Sequence, residues 1–350
     1  MSDASLQYLK RHWKILLNIV TVGALLIVII SIRHELVTTF ENLAKVHAWI
    51  LLLMIPVEIL NYHAQTKMYE GLFQLVGNKV GYHLLYKTAL EINFINSVFP
   101  SAGISGVSYF GMRLRSNKIS GTKAAIVQML KLGLVLISFE ILLIFGVFIM
   151  AIGGHINDLT IAIASSLTTL LVIGTIAFMM ILGEKKRIDA TFAFSTRAIN
   201  RLIHIIRPKH PETISTAHWR DRAEELHQNY LVVKANYKDL KQPLLYALLA
   251  NLTEVLAIYV VYGAFGHWVN IGAIILAYAV ANFAGSISVM PGGIGIFEAL
   301  MTAVLAAAGI PIRLSIPVTV MYRVLNTIIQ VPPGYYFYRR ALNQKTPEES

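Results

Sequence analysis

Residues 288–298 of this chain read SVMPGGIGIFE, a proline and three glycines followed by a carboxylate, Glu298, inside a long apolar stretch. The final apolar segment carries a guanidinium, Arg323. An ionisable group at membrane depth has to be paired or to face a polar cavity, so each is a functional candidate. Guanidinium offers a planar, two-pronged donor set that suits phosphate, and a carboxylate accepts from hydroxyls. Such a pair recognises a polar head group rather than making bonds. One reading has both facing a single cavity, paired when empty; the other is an ion pair that holds two helices together. Five further polar residues stand in apolar segments: Lys131, Glu58, Glu254, Asn93 and Asn282. Lys131 either serves an anionic head group or snorkels to the interface. Glu58 and Glu254 are proton-coupling carboxylates or polar contacts within the bundle. Asn93 and Asn282 tie down broken backbone. Lys87 and Glu91, at i,i+4 spacing, are expected to neutralise one another. Together Glu298, Arg323, Lys131, Asn93, Asn282, Glu254 and Glu58 form the candidate substrate-binding and translocation set.

The elements that must position these groups are helices and two breaks. Backbone polar groups freed in lipid are costly, so a break survives only where protein or a water-filled cavity satisfies it. Pro100, Gly103 and Gly106 mark the first break; Pro291, Gly292, Gly293 and Gly295 mark the second. SVFPSAGI at 97–104 and SVMPGGI at 288–294 align after a one-residue gap, and Asn93-Phe94 echoes Asn282-Phe283. Spans are predicted at about 15–32, 46–62, 124–152, 159–182, 244–265 and 314–338, with re-entrant hairpins at 84–112 and 271–310. Each half therefore reads span, span, hairpin, span. The first half starts inside by its basic flanks and the second starts outside, the plan of an inverted-repeat transporter. The expected fold is an all-α integral membrane protein of about six transmembrane helices plus two re-entrant hairpins. The first membrane repeat and the start of the second occupy 1–183. Residues 184–241 form a basic cytoplasmic segment of two amphipathic helices. The second repeat closes over 242–340, and 341–350 is a polar tail.

Composition narrows the function classes. Of 350 residues, 56% are hydrophobic and 14% charged, against about 25% charged in soluble domains. Mean hydropathy is +0.61. The chain has no cysteine, which removes disulfides and thiolate chemistry. A net charge of +11 lies in loops and helix ends, matching a positive-inside topology and anionic lipid rather than nucleic acid. No metal-ligand spacing, nucleotide loop or nucleophile constellation is present, so neither a metal, a cofactor nor an enzymatic activity is expected. The N-terminal segment lacks a cleavage site and reads as a retained first helix. The expected location is the cytoplasmic (inner) membrane, multi-pass, with both termini cytoplasmic.

PGGIG at 291–295 followed by Glu298, with Arg323 in the last helix, resembles the lysylphosphatidylglycerol synthase transmembrane-region family. Asn93, Pro100 and the glycines after it are similar to that family's first-half motif. The resemblance implies a flippase-like domain that moves a lipid between leaflets. In full-length synthases a soluble aminoacyl-transfer domain follows; here 341–350 follows the last span, so a stand-alone member is implied, with lysyl-lipid synthesis not expected of it. Its expected partners are membrane lipids, an anionic phospholipid or a glycolipid, and a lipid-synthesising enzyme on the cytoplasmic side. Alternatives of other classes are a secondary transporter of a small anionic solute and a membrane scaffold for a lipid-modifying enzyme.

Overall fold

The computed structural model describes residues 46–99, 104–190, 230–287 and 293–343 apart from 116, 118, 155 and 185, with isolated positions elsewhere. Most of the predicted span at 15–32 and of the basic segment at 184–241, the tail after 343, and Pro100, Gly103, Pro291 and Gly292 lie outside the described residues. Among those described, the long elements are α1 (Met54–Leu75), α2 (Tyr82–Val98), α3 (Ile104–Arg115), α4 (Gly121–Ile152) and α5 (Asp158–Leu182). They continue with α6 (Lys241–Ala264), α7 (Ile271–Ile287), α8 (Ile296–Ala307) and α9 (Ile312–Asn343). No strand occurs among them.

Among the described residues, four helices are long and apolar enough to cross a membrane: α4, α5, α6 with the turn before it, and α9. Large apolar side chains on α4 and α5, among them Ile144, Phe148, Ile173 and Ile176, face outward. In a soluble protein such a surface would demand a partner; here lipid covers it. The span predicted at 46–62 is corrected. A single turn (Ala48–Leu51) precedes α1, and α1 runs on to Leu75. Tyr62, Thr66, Tyr69, Leu72 and Phe73 keep it buried beyond Tyr62, and the polar stretch stays helical with Lys67 bonded to Glu70 at 2.7 Å.

The two halves are inverted relative to one another. The His47 N–H donates to the Ala264 carbonyl at 2.9 Å, and a Cβ on Gly71 would lie 2.8 Å from Pro243 Cγ. The start of α1 therefore meets the end of α6, and the reverse, so these matching helices run antiparallel. The ends of α4 and α9 agree. Gly146 and Met150, late in α4, abut Gly272 at the start of α7. The start of α7 shares a cleft of about 800 Å³, lined by Asn270, Ile310, Pro311 and Arg313, with the start of α9.

Each hairpin packs on the last helix of the opposite half: α2 on α9, and α7 on α4. Both crossings run over glycine. A Cβ on Gly334 of α9 would meet Phe94 Cβ at 2.6 Å and the Leu90 carbonyl at 2.7 Å. Small residues let helix backbones approach in lipid, where dispersion replaces the hydrophobic drive.

Within the first hairpin Glu91 is 1% exposed. It accepts from Tyr109 OH at 2.8 Å and Arg113 Nε at 3.0 Å. Residue 91 and residues 109–113 are nearly equidistant from the break, so the arms run antiparallel. This corrects the expected Lys87–Glu91 pairing. Lys87 Nζ sits 5.8 Å from the Phe337 ring centroid, while the returning arm delivers a better-placed cation to Glu91. Arg113→Ala is expected to cost about 3 kcal/mol, because it strands a buried carboxylate. The exposed Arg115→Ala should cost under about 0.5 kcal/mol. Thermal unfolding in detergent checks this, and equal effects would show that the Glu91 contact contributes nothing.

Candidate functional site

The second break is built for a carboxylate. Gly293 and Gly295 have φ of 67° and 85°, in the region that favours glycine, and Gly295 is the N-cap of α8. Glu298 is the third residue of that helix, and its Oε2 accepts from the Gly295 N–H at 2.6 Å, the reach-back half of a capping box. Its Oε1 lies 2.9 Å from Arg323 Nε on α9. That contact is electrostatic, since the N–H is not aimed along it and Oε1 has no hydrogen-bond donor. Arg323 and Glu298 are 20% and 14% exposed, and the guanidinium carbon lies 4.7 Å from the Phe297 ring centroid. The fold thus brings Glu298 and Arg323 together, with one carboxylate oxygen left as an open acceptor.

Below this pair runs a polar chain through α1, α6 and α9. Tyr322 OH donates to Glu254 Oε2 at 2.8 Å, and Asn61 Nδ2 donates to Glu254 Oε1 at 3.2 Å and to Thr253 Oγ1 at 2.9 Å. Asn326 Nδ2 donates to Tyr322 OH at 3.4 Å. Gln330 Nε2 donates both to Asn326 Oδ1 at 2.6 Å and to Glu58 Oε2 at 3.1 Å. Gln65 closes the other end on Asn61 Oδ1 at 2.6 Å. Glu58 and Glu254, predicted separately on matching spans, are thereby joined end to end.

Lys131 stands apart on α4. Its Nζ has no carboxylate within ion-pair distance among the described residues. It donates to Tyr69 OH at 3.0 Å and lies 4.9 Å from that ring's centroid. Glu140, on the same helix, accepts instead from Thr175 of α5 at 2.8 Å. Asn93 donates to Tyr62 OH at 3.3 Å, so it links α2 to α1. Asn282 is half-buried on α7, and Gly106 approaches the Asn96 side chain across the first hairpin.

Sequence reasoning missed Asn61, Gln65, Tyr322, Asn326 and Gln330. A signal was present. Asn61/Gln65 and Tyr322/Asn326/Gln330 repeat at i,i+4, which stacks polar groups along one face of a helix. An amide stripe in an apolar span has few other uses.

The sequence model of the family described as lysylphosphatidylglycerol synthase TM region matches residues 15–334. The chain belongs to this family. It is also similar to a UPF0104 membrane protein of Methanothermobacter thermautotrophicus, 30% identical over 92 residues. That stretch is 26% of this chain and 28% of the relative, so the match spans under a third of either protein. No solved structure matches the chain. Family and apolar helices together make this a multi-pass membrane protein.

Proposed function

We propose that this protein moves a phospholipid or glycolipid head group between the leaflets of the cytoplasmic membrane. The head group travels through a polar passage beside the two broken-helix hairpins, while the acyl chains stay in the bilayer. Only the head group needs shielding, because the tails are already solvated by lipid. The protein acts without covalent chemistry, on lipid handed over by a cytoplasmic lipid-synthesising enzyme, with both termini on the cytoplasmic side.

One observation carries this reading: each half of the inverted structure holds a cation partway along its last helix. Lys131 is the eleventh residue of α4 and Arg323 the twelfth of α9. At 1.5 Å per residue each lies about 15 Å from the start of its helix. The two helices start at opposite ends, so the cations sit at similar depths from opposite faces. A phosphate passing between leaflets meets first one and then the other. Lys131 carries no bound carboxylate among the described residues, and Arg323 is held by an ionic contact that a phosphate displaces through bidentate bonding.

The test is the full chain in liposomes that contain head-group-labelled anionic phospholipid or glycolipid, read with a membrane-impermeant quencher. The expected result is loss of signal from both leaflets, at a rate above that of empty liposomes. Transfer no faster than in empty liposomes across both lipid classes overturns the proposal, and uptake of a small soluble anion instead favours a solute transporter.

A further inference from the structure

Glu58 and Glu254 sit where the two halves meet, on the antiparallel helices α1 and α6. Glu58 is 2% exposed and accepts from one neutral amide, Gln330. The hydrogen-bond donors to Glu254 are also neutral, Tyr322 and Asn61. Among the described residues, ionisable groups within electrostatic reach include Tyr62, Tyr278 and Tyr322, with Arg323 acting on Glu254. Arg323 has Glu298 as its ion-pair partner. Glu254 and Glu298 thus share the neighbourhood of one guanidinium, and Glu58 lies beside Glu254. Two close carboxylates without a counter-charge do not both stay ionised in a buried site.

We propose that Glu58 and Glu254 form a proton-binding coupling site, so that the anionic head group and a proton move together. The proposal rests on the translocation reading above. Its logic is charge balance. When a phosphate occupies Arg323, the guanidinium no longer offsets Glu298 and Glu254. The excess negative charge is met by a proton that adds to a carboxylate oxygen of the Glu58–Glu254 pair, giving a carboxylic acid; no bond in the lipid changes. Release of the head group returns the guanidinium and frees the proton. The amides of Gln330 and Asn326 do not conduct protons. They pass hydrogen-bond polarity between the carboxyls, which ties the protonation of one to that of the other.

Two measurements decide it. Infrared titration of the protein in liposomes, over about pH 5–10, is expected to show a protonated-carboxyl band that changes with pH. The band is lost in the double variant Glu58→Gln with Glu254→Gln and kept in the conservative variant Glu58→Asp. Absence of a titrating band in the wild type overturns the coupling site whether or not lipid moves. Then, with phosphatidylglycerol labelled on its head group as the probe, a pH gradient of about one unit is imposed on the liposomes. At one proton per lipid the label skews up to about tenfold toward the alkaline side, and an ionophore that collapses the gradient levels it. Transfer that ignores the gradient sinks the coupling and leaves translocation standing. A titrating band without transfer of any lipid sinks translocation and, with it, the coupling of the proton to lipid.

Discussion

Arg323→Ala is expected to lower the initial rate of lipid transfer at least tenfold and to destabilise the protein by about 2–3 kcal/mol. The stability loss follows from burial. Glu298 is 14% exposed, and removing its cation leaves a carboxylate that the surroundings do not solvate. The transport loss follows from charge, since the chain from Glu254 to Glu58 otherwise contains neutral donors alone. Arg323→Lys keeps the charge but not the planar fork, so it should recover stability more than rate. Glu298→Gln separates the carboxylate's two tasks. Glutamine still accepts from the Gly295 N–H, as a capping-box residue does, yet provides no counter-ion. Stability is expected to stay within about 1 kcal/mol of wild type while transfer falls. Thermal unfolding and the quencher assay on the same preparations check both halves. Normal transfer in Glu298→Gln would reduce Glu298 to a helix cap, and normal transfer in Arg323→Ala would make the ion pair purely structural.

Gly293→Ala should be strongly damaging at the second break, costing about 3 kcal/mol or more. Two causes add. An alanine at φ 67° carries roughly 1–2 kcal/mol of backbone strain. Its Cβ would also lie 2.9 Å from Gly285 Cα and 3.2 Å from the Gly285 carbonyl oxygen. That neighbour is backbone of the facing arm, so no side chain can rotate away, and overpacking adds about 1–3 kcal/mol. Gly295→Ala is the internal control. Its φ is 85°, but nothing lies within 4 Å of the added carbon, so strain alone applies. Melting temperatures in one detergent rank the two. If Gly295→Ala proves as harmful as Gly293→Ala, the hairpin arms do not meet at Gly285.

The elements were largely legible in the chain because lipid imposes one simple rule. Apolar runs of the right length coincide with α4, α5, α6 and α9 to within a few residues at most ends, and each Pro/Gly break falls between two shorter helices. Where the rule weakens, the reading slipped. The first half of α1 reads as a span, but its continuation to Leu75 depends on Tyr69, Leu72 and Phe73 finding partners that no local pattern announces. The charges behaved similarly. Local spacing assigned Glu91 to Lys87, whereas the returning arm of the hairpin gave it Arg113.

Residue types alone determined that Glu298, Arg323, Glu58 and Glu254 needed partners, since a lone charge or carboxyl is too costly at membrane depth to stand without a reason. They also marked both breaks, because proline and glycine cannot continue an ordinary helix through lipid. Who the partners are was decided only by the tertiary structure. Glu58 and Gln330 are 272 residues apart, and the amides that join the two glutamates lie on a third helix. Antiparallel packing of α1 on α6 sets the two carboxyls across one interface, and α9 crosses beside them. Spacing along a chain reports the nearest turn of a helix, and the contacts that assemble this site lie between helices.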